Sequence, residues 1–146
     1  MYKHLLVPTD GSELSQAAVR QAAQLARSLD ASVTVLYVQP QCPKPLGGEA
    51  FTMGPFQEEF LRDSASMANE TLTQARAVVE QANVRCKCCT ATSDQPWQVI
   101  ISTAKSEACD LILMASHGRS GLTGLLIGSQ TQKVLTHCKV PVLVCR

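Results

Sequence analysis

The sequence has no long hydrophobic run, and therefore no segment that would cross a bilayer. No basic region followed by an apolar stretch stands ahead of the first strand pattern. No export signal is read there, and the expected compartment is the cytoplasm. An excess of one charge is missing as well: 13 Lys and Arg face 12 Asp and Glu, a formal net charge of +1. The basic residues are scattered, without like-charge runs and without interleaved aromatics. This balance excludes nucleic acid or an anionic membrane as the main partner. No internal repeat or low-complexity tract breaks the chain.

Two familiar phosphate motifs are absent. No Gly-Lys-Ser/Thr ends a glycine loop, which excludes a Walker A site, and no G-x-G-x-x-G follows the first strand, which excludes the dinucleotide fingerprint. The seven cysteines do not form a disulfide framework, because their number is odd and no export signal precedes them. Cys86, Cys88 and Cys89 are clustered, but strand alternation puts the first two on one face and Cys89 on the other. Thiols divided in this way do not converge on one tetrahedral ion, and no C-x2-C pair or paired histidines supply the remaining ligands. The cluster reads as small buried apolar residues; a redox-sensing role stays open for an exposed member, although nothing adjacent in sequence lowers a thiol pKa.

What is present is an ordinary globular composition, 45% hydrophobic and 17% charged over 146 residues, enough for one domain with a real core. Strand and helix signals alternate along it. Leu5-Leu6-Val7 closes a first strand at Pro8-Thr9-Asp10-Gly11, and Ser12 is the expected N-cap of a helix with Ala18, Ala22, Leu25, Ala26 and Leu29 on its inner face. Val33 to Val38 is a second strand. From Gln39 to about Pro55 the density of Pro and Gly predicts irregular structure, either a lid or a static cover. A long helix is expected from near Gln57 to Ala82, with Phe60, Ser64, Met67, Thr71, Ala75, Val78 and Ala82 inward. The cysteine strand follows. Then Asp94-Gln95-Pro96 opens a helix that aligns Trp97, Ile100, Ile101, Ala104 and Ala108. Leu111 to Met114 is a buried strand, and a last helix carries Val134, Leu135 and Cys138 on one face. Val140 to Cys145 is the fifth strand. The order β-α-β-α-β-α-β-α-β predicts an α/β fold, an open five-stranded parallel sheet with helices on both faces.

The most informative stretch is Met114-Ala115-Ser116-His117-Gly118-Arg119, followed by Gly128-Ser129-Gln130-Thr131. A strand, a glycine loop and a helix start are the parts of a phosphate cradle, since free N–H groups and the positive end of the helix face the anion. The hydroxyls of Ser129 and Thr131 are expected to add two donors. Ligands of open parallel sheets sit beyond the C-terminal strand ends, where the winding reverses. If strands one and four meet there, Asp10 and Gly118 approach from opposite sides of one crevice. Asp10 then serves a ribose or base edge, or only the Asp-Gly turn and the first helix. His117 reads as a loop residue packing at the mouth of the site, and Arg119 as either a phosphate partner or a solvent-facing side chain. His137 suits a helix C-terminus, His4 lies in a strand, and Trp97 belongs to a core stripe.

The opening strand ending in Val-Pro-Thr-Asp-Gly-Ser, the loop Met-Ala-Ser-His-Gly-Arg and the closing Val-Pro-Val-Leu-Val resemble the universal stress protein family over essentially the whole chain. The ATP-binding branch of that family carries G-x2-G-x9-G-[ST]. Here it falls as Ala115-x2-Gly118-x9-Gly128-Ser129, with both spacings intact and alanine in place of the first glycine. The resemblance implies a Rossmann-type, adenine-nucleotide alpha-hydrolase-like fold. It places Pro8, Thr9 and Asp10 near ribose and adenine, Val38 at the base, and Met114 and Ala115 on the sugar side. Gly118, Arg119, Gly128, Ser129, Gln130 and Thr131 would surround the phosphates. The cofactor so implied is ATP, or ADP or AMP, with Mg²⁺ entering through the phosphates. It also implies a homodimer through Val140, Pro141, Val142, Leu143, Val144 and Cys145, and a regulatory protein partner that the sequence does not identify. The leading reading is a cytoplasmic ATP-binding stress-response regulator. The alternatives are a slow ATP hydrolase or nucleotidyl transferase, and a nucleotide-independent dimeric adaptor.

Overall fold

A computed structural model describes residues 1–47, 53–119, 121 and 126–146. Five strands alternate with four helices: β1 (His4–Pro8), α1 (Glu13–Leu29), β2 (Ser32–Gln39), α2 (Met53–Gln81), β3 (Cys86–Thr92), α3 (Pro96–Ser106), β4 (Leu111–Ala115), α4 (Ser129–His137) and β5 (Val142–Cys145). The strands form one parallel sheet in the order β3-β2-β1-β4-β5, as the alternation predicts. Winding reverses between β1 and β4. Among the described residues no helix is long and apolar enough to cross a membrane.

Side-chain alternation divides the core into two. Leu5, Val7, Val33, Val35, Leu111 and Leu113 face α1 and α2, while Leu6, Leu36, Ile112 and Met114 face α3 and α4. Both faces of the central strands are covered, so these strands are apolar throughout rather than amphipathic; all of β4 is buried. Each fully buried Leu, Ile or Val contributes about 1.5–3 kcal/mol of transfer free energy. On α1 the buried stripe is almost all alanine, Ala18, Ala22, Ala23 and Ala26, which lets the helix axis lie close to β1 and β4. Ser12 caps this helix, its hydroxyl accepting from Ser15 N at 3.3 Å.

Several local expectations are corrected. Helix α2 begins at Met53 rather than near Gln57, so Gly54 and Pro55 lie within its first turn. Proline is tolerated there because first-turn N–H groups have no intrahelical acceptor. Residues 40–47 are irregular, as expected, and 48–52 lie outside the described residues. Met67 is 43% exposed and Ala68 is buried in its place: the inner stripe steps by four from Ser64, where the expected spacing steps by three. On α4 Leu135 is likewise exposed, with Val134 and Cys138 turned inward. Strand β5 starts at Val142, after Val140 and Pro141; Pro141 has no N–H to give, although its carbonyl accepts from Ile112 N at 2.9 Å. The β3 cysteines do divide between two faces, Cys86 and Cys88 toward α2 and Cys89 away from it, but they are half-buried rather than buried.

Ala108 is not on the α3 stripe at all. Helices α1, α2 and α3 all close in the same way, with an N–H bonded five residues back: Ala31 to Ala26, Val84 to Val79 and Cys109 to Ala104. The residue before each donor is left-handed: Asp30 at φ 51°, Asn83 at φ 58° and Ala108 at φ 53°. Asp and Asn accept this conformation, whereas alanine meets a steric cost of about 1–2 kcal/mol. Replacing Ala108 with Gly is expected to stabilise the protein by about 1 kcal/mol, net of the added chain entropy of glycine. A shift of the urea midpoint to lower concentration would contradict this.

Candidate nucleotide-binding site

A cavity of about 280 Å³ opens where β1 and β4 end. Its floor and one wall are apolar: Leu36 and Val38 from β2, Ile100 from α3 and Met114 from β4. Its rim is polar, with Thr9 and Asp10 on one side and Gly128, Ser129, Gln130 and Thr131 on the other. Pro8, Ala115 and Gly118 line it too, so that of the expected residues Arg119 alone is not among the lining. Ser15, Leu36, Pro96, Ile100, His117 and Gly121 line it as well. Leu36 and Ile100 carry no signal that separates a cavity wall from ordinary core. Pro96 was legible only as a helix start.

Asp10 and Gly118 do meet across the switch point. The Asp10 carboxylate accepts from Ser12 N at 2.9 Å and, across the crevice, from Arg119 N at 2.7 Å. A methyl group on Gly118 would fall on Asp10 Oδ2, so only glycine admits this approach. Gly11, at φ +79°, turns the chain from Asp10 into the Ser12 cap. Asp10 is thus both the turn residue and a wall of the cavity. Burial alone raises its pKa, but hydrogen bonds from the Ser12 hydroxyl and from the Ser12 and Arg119 N–H groups outweigh that and hold it below the usual carboxylate value.

On the opposite rim, Gly128 N donates to Ser116 O at 2.7 Å and Gln132 N returns to Gly128 O at 3.0 Å. Between them, the N–H groups of Ser129, Gln130 and Thr131 form the first turn of α4, whose donors have no intrahelical acceptor. Two expectations change here. Thr131 is buried, and its hydroxyl donates to Ala115 O at 2.9 Å, so it braces the β4 end instead of offering a side-chain donor to a phosphate. Arg119 reaches the site through its backbone alone: its Nη1 lies 3.0 Å from Met67 Sδ, on the α2 side, and its side chain is not part of the cavity wall. Gln130 has a second task, accepting from Trp97 N at 3.1 Å and tying the start of α4 to that of α3.

Ala115, in place of the first motif glycine, continues the alternation of Leu111 and Leu113. Its methyl packs in the α1–α2 core cluster, on the far side of the sheet from Leu36 and Ile100, so the extra carbon leaves the cavity open. His117 packs at the mouth as expected, Nδ1 lying 3.1 Å from Ser116 Oγ, with Gly121 and Gly128 against the ring. Trp97 covers His137, ring centroids 4.8 Å apart, beside the core rather than within it.

The whole chain, residues 1–146, matches the sequence model of the universal stress protein family. A universal stress protein of Methanocaldococcus jannaschii is 30% identical over 146 residues, covering 100% of this chain and 83% of the relative. The solved structure of the universal stress protein UspA from Lactobacillus plantarum superposes with a TM-score of 0.86 at 27% identity, covering 99% of this chain and 98% of the other. A universal stress protein family structure from Arabidopsis thaliana with AMP bound has a TM-score of 0.69 at 18% identity, over 97% and 90% of the two chains. Two further neighbours with a TM-score of 0.73, one of them from Archaeoglobus fulgidus, were solved in complex with cAMP and with dAMP.

The Asp10 bridge makes stability depend on pH. Its folded pKa lies below the unfolded value, so the unfolded chain binds the proton more readily there. The contribution of Asp10 is present in full above the unfolded value near 3.9 and is lost as pH falls through the folded one. Asp10→Asn should therefore flatten the acid limb of stability against pH while lowering stability at neutral pH. Urea denaturation at several pH values from neutral to strongly acid provides the check, and an unaltered acid limb would rule Asp10 out as its source.

Proposed function

The chain belongs to the universal stress protein family, and on that premise we propose that it is a cytoplasmic regulatory protein that binds ATP and signals nucleotide state through its shape or partner affinity. One observation carries this reading. One cavity brings together a carboxylate, a helix N-terminus and an apolar lining. Those three chemistries match a ribose hydroxyl, a phosphate and a purine ring. Leu36, Val38, Ile100 and Met114 would enclose the base, Asp10 would accept from the ribose, and the first turn of α4 would receive the phosphates. Mg²⁺ would arrive with the triphosphate, held by phosphate oxygens and water. The AMP, dAMP and cAMP carried by the structural neighbours support the adenine nucleotide class.

Binding is favoured over hydrolysis by what lines the cavity. A hydrolase orients water and places positive charge at the terminal phosphate. Asp10 is the one carboxylate among the described lining residues, and its oxygens already accept two N–H groups. The Arg119 guanidinium lies toward Met67. Calorimetric titration with MgATP, ADP and AMP tests the reading against Gly128→Val, whose new side chain would start 3.1 Å from Ser116 O and displace the α4 start. Binding at least about tenfold weaker in the variant is expected, a loss of about 1.4 kcal/mol. Equal affinity in the two proteins would move the nucleotide elsewhere, and multiple-turnover release of phosphate would make the protein an enzyme.

The same reading includes a homodimer through β5. This strand is an edge of the sheet, paired on one side by β4, and Leu143 is 45% exposed on it. Val142 packs inward against the α3–α4 core, so Leu143 is the position whose replacement spares the fold. Leu143→Lys is expected to convert dimers to monomers in light scattering. A wild-type mass equal to one chain, or a dimeric Leu143→Lys protein, would defeat the assignment.

A further inference from the structure

A second cavity, of about 140 Å³, lies between α1 and α2. Thr9 lines it as well as the larger one, so the two spaces stand back to back at the end of β1. The floor of the second is apolar: Val19 and Ala75 are buried, and Val78 lies half-buried beside them. Ala75 brings only a methyl group to this floor, and the open volume is what a larger side chain there would fill. The Thr9 hydroxyl is already engaged, accepting from Gly11 N at 3.2 Å and lying 3.0 Å from Ser15 Oγ.

The walls are polar. Gln16 and Arg20, one turn apart, come from α1, and Thr71 and Gln74 from α2. Gln16 is held by its Nε2, which donates to Gly11 O at 3.0 Å, and Gln74 Nε2 donates to Glu70 Oε1 at 3.5 Å. A second guanidinium stands at the rim: a side chain built on Gly11 would start 2.9 Å from Arg119 Nη2 and 3.0 Å from Thr71 Oγ1. Lys3, Arg76 and Lys87 each have an acidic partner, Asp30, Glu80 and Glu107. Among the described residues Arg20 and Arg119 have none. Two guanidinium groups, two carboxamides and a hydroxyl thus gather over an apolar floor without a carboxylate to receive the arginines.

We propose that this groove is a second binding site, for a small aliphatic carboxylate whose head is taken by Arg20 and whose chain lies on Val19, Ala75 and Val78. A planar guanidinium matches a carboxylate through two parallel N–H donors. Thr71, Gln16 and Gln74 surround the head, and Arg119 adds positive charge at the rim. Inorganic phosphate has no apolar part to set on the floor, and an alcohol of the same chain length has no charge for the arginine. Pairing the charge while burying the chain separates this ligand class from both. At half the volume of the nucleotide cavity, the space suits a short chain and is too small for a purine nucleotide. The assignment stands on this groove alone and does not rest on nucleotide binding.

Sodium butyrate, titrated into the full chain without nucleotide and in phosphate-free buffer, tests this through ¹H–¹⁵N correlation spectra. A dissociation constant on the order of 1–10 mM is expected for so small a ligand. The signals that move should be the backbone amides of 16–20 and 71–78 and the carboxamides of Gln16 and Gln74. Arg20 is exposed, so Arg20→Gln spares the fold and should weaken binding about tenfold. Ala75→Val fills the floor and should weaken it as much, about tenfold. Butan-1-ol and inorganic phosphate at the same concentrations should leave those signals in place. The proposal is overturned if either of them moves the signals as far as butyrate does, if Arg20→Gln keeps the wild-type affinity, or if butyrate shifts the first turn of α4 instead.

Discussion

Asp10 accepts two N–H groups that no strand ladder reaches, those of Ser12 and Arg119, and so joins the loop after β1 to the loop after β4. Parallel strands release their chain ends on the same side of the sheet, and at a switch point the two loops leave in opposite directions. Without a cross-connection such loops part. The carboxylate supplies one, and the missing Cβ of Gly118 makes room for it. Everything on the rim is placed relative to this contact: the Ser12 cap and α1 on one side, His117 and the run toward Gly128 on the other.

The two layers of helix fill their faces of the sheet differently, and this difference makes the cavity. On the α1–α2 side, alanines let the helix lie close and the packing continues to the strand ends, where Ala115 and Cys145 are still buried. On the other side α3 and α4 are short and begin at the rim, so that their N-termini converge on the space above Leu36 and Met114. Gln130 locks the two starts together. Helix beginnings bring unpaired donors, and for that reason the open volume is polar at its mouth and apolar beneath.

Much of this was legible in the residues. Apolar runs and periodicity gave the five strands, the four helices and their order, and the strand-end positions of Asp10 and Gly118 indicated that they would meet. What stayed hidden was direction within a side chain's reach. Nothing in the sequence says that the Thr131 hydroxyl turns to Ala115 O, or that the Arg119 guanidinium runs to Met67, since both depend on distances between elements 16 and 52 residues apart. Errors of face, at Met67 and Leu135, came from extrapolating a period along a helix. The misplacement of Ala108 came from a helix closure that alanine seldom serves.

Trp97 is the single indole of the chain. Its backbone N–H is held by Gln130, its ring lies over His137 at the far end of α4, and its Nε1 donates to Gln95 at 2.9 Å. Both ends of α4 therefore touch one chromophore, whose own helix begins at the cavity wall with Pro96. Any shift of α4 against α3 changes the polarity and the quenching partner seen by that ring. The protein thus carries a built-in optical gauge of the geometry between its two short helices, readable without a label.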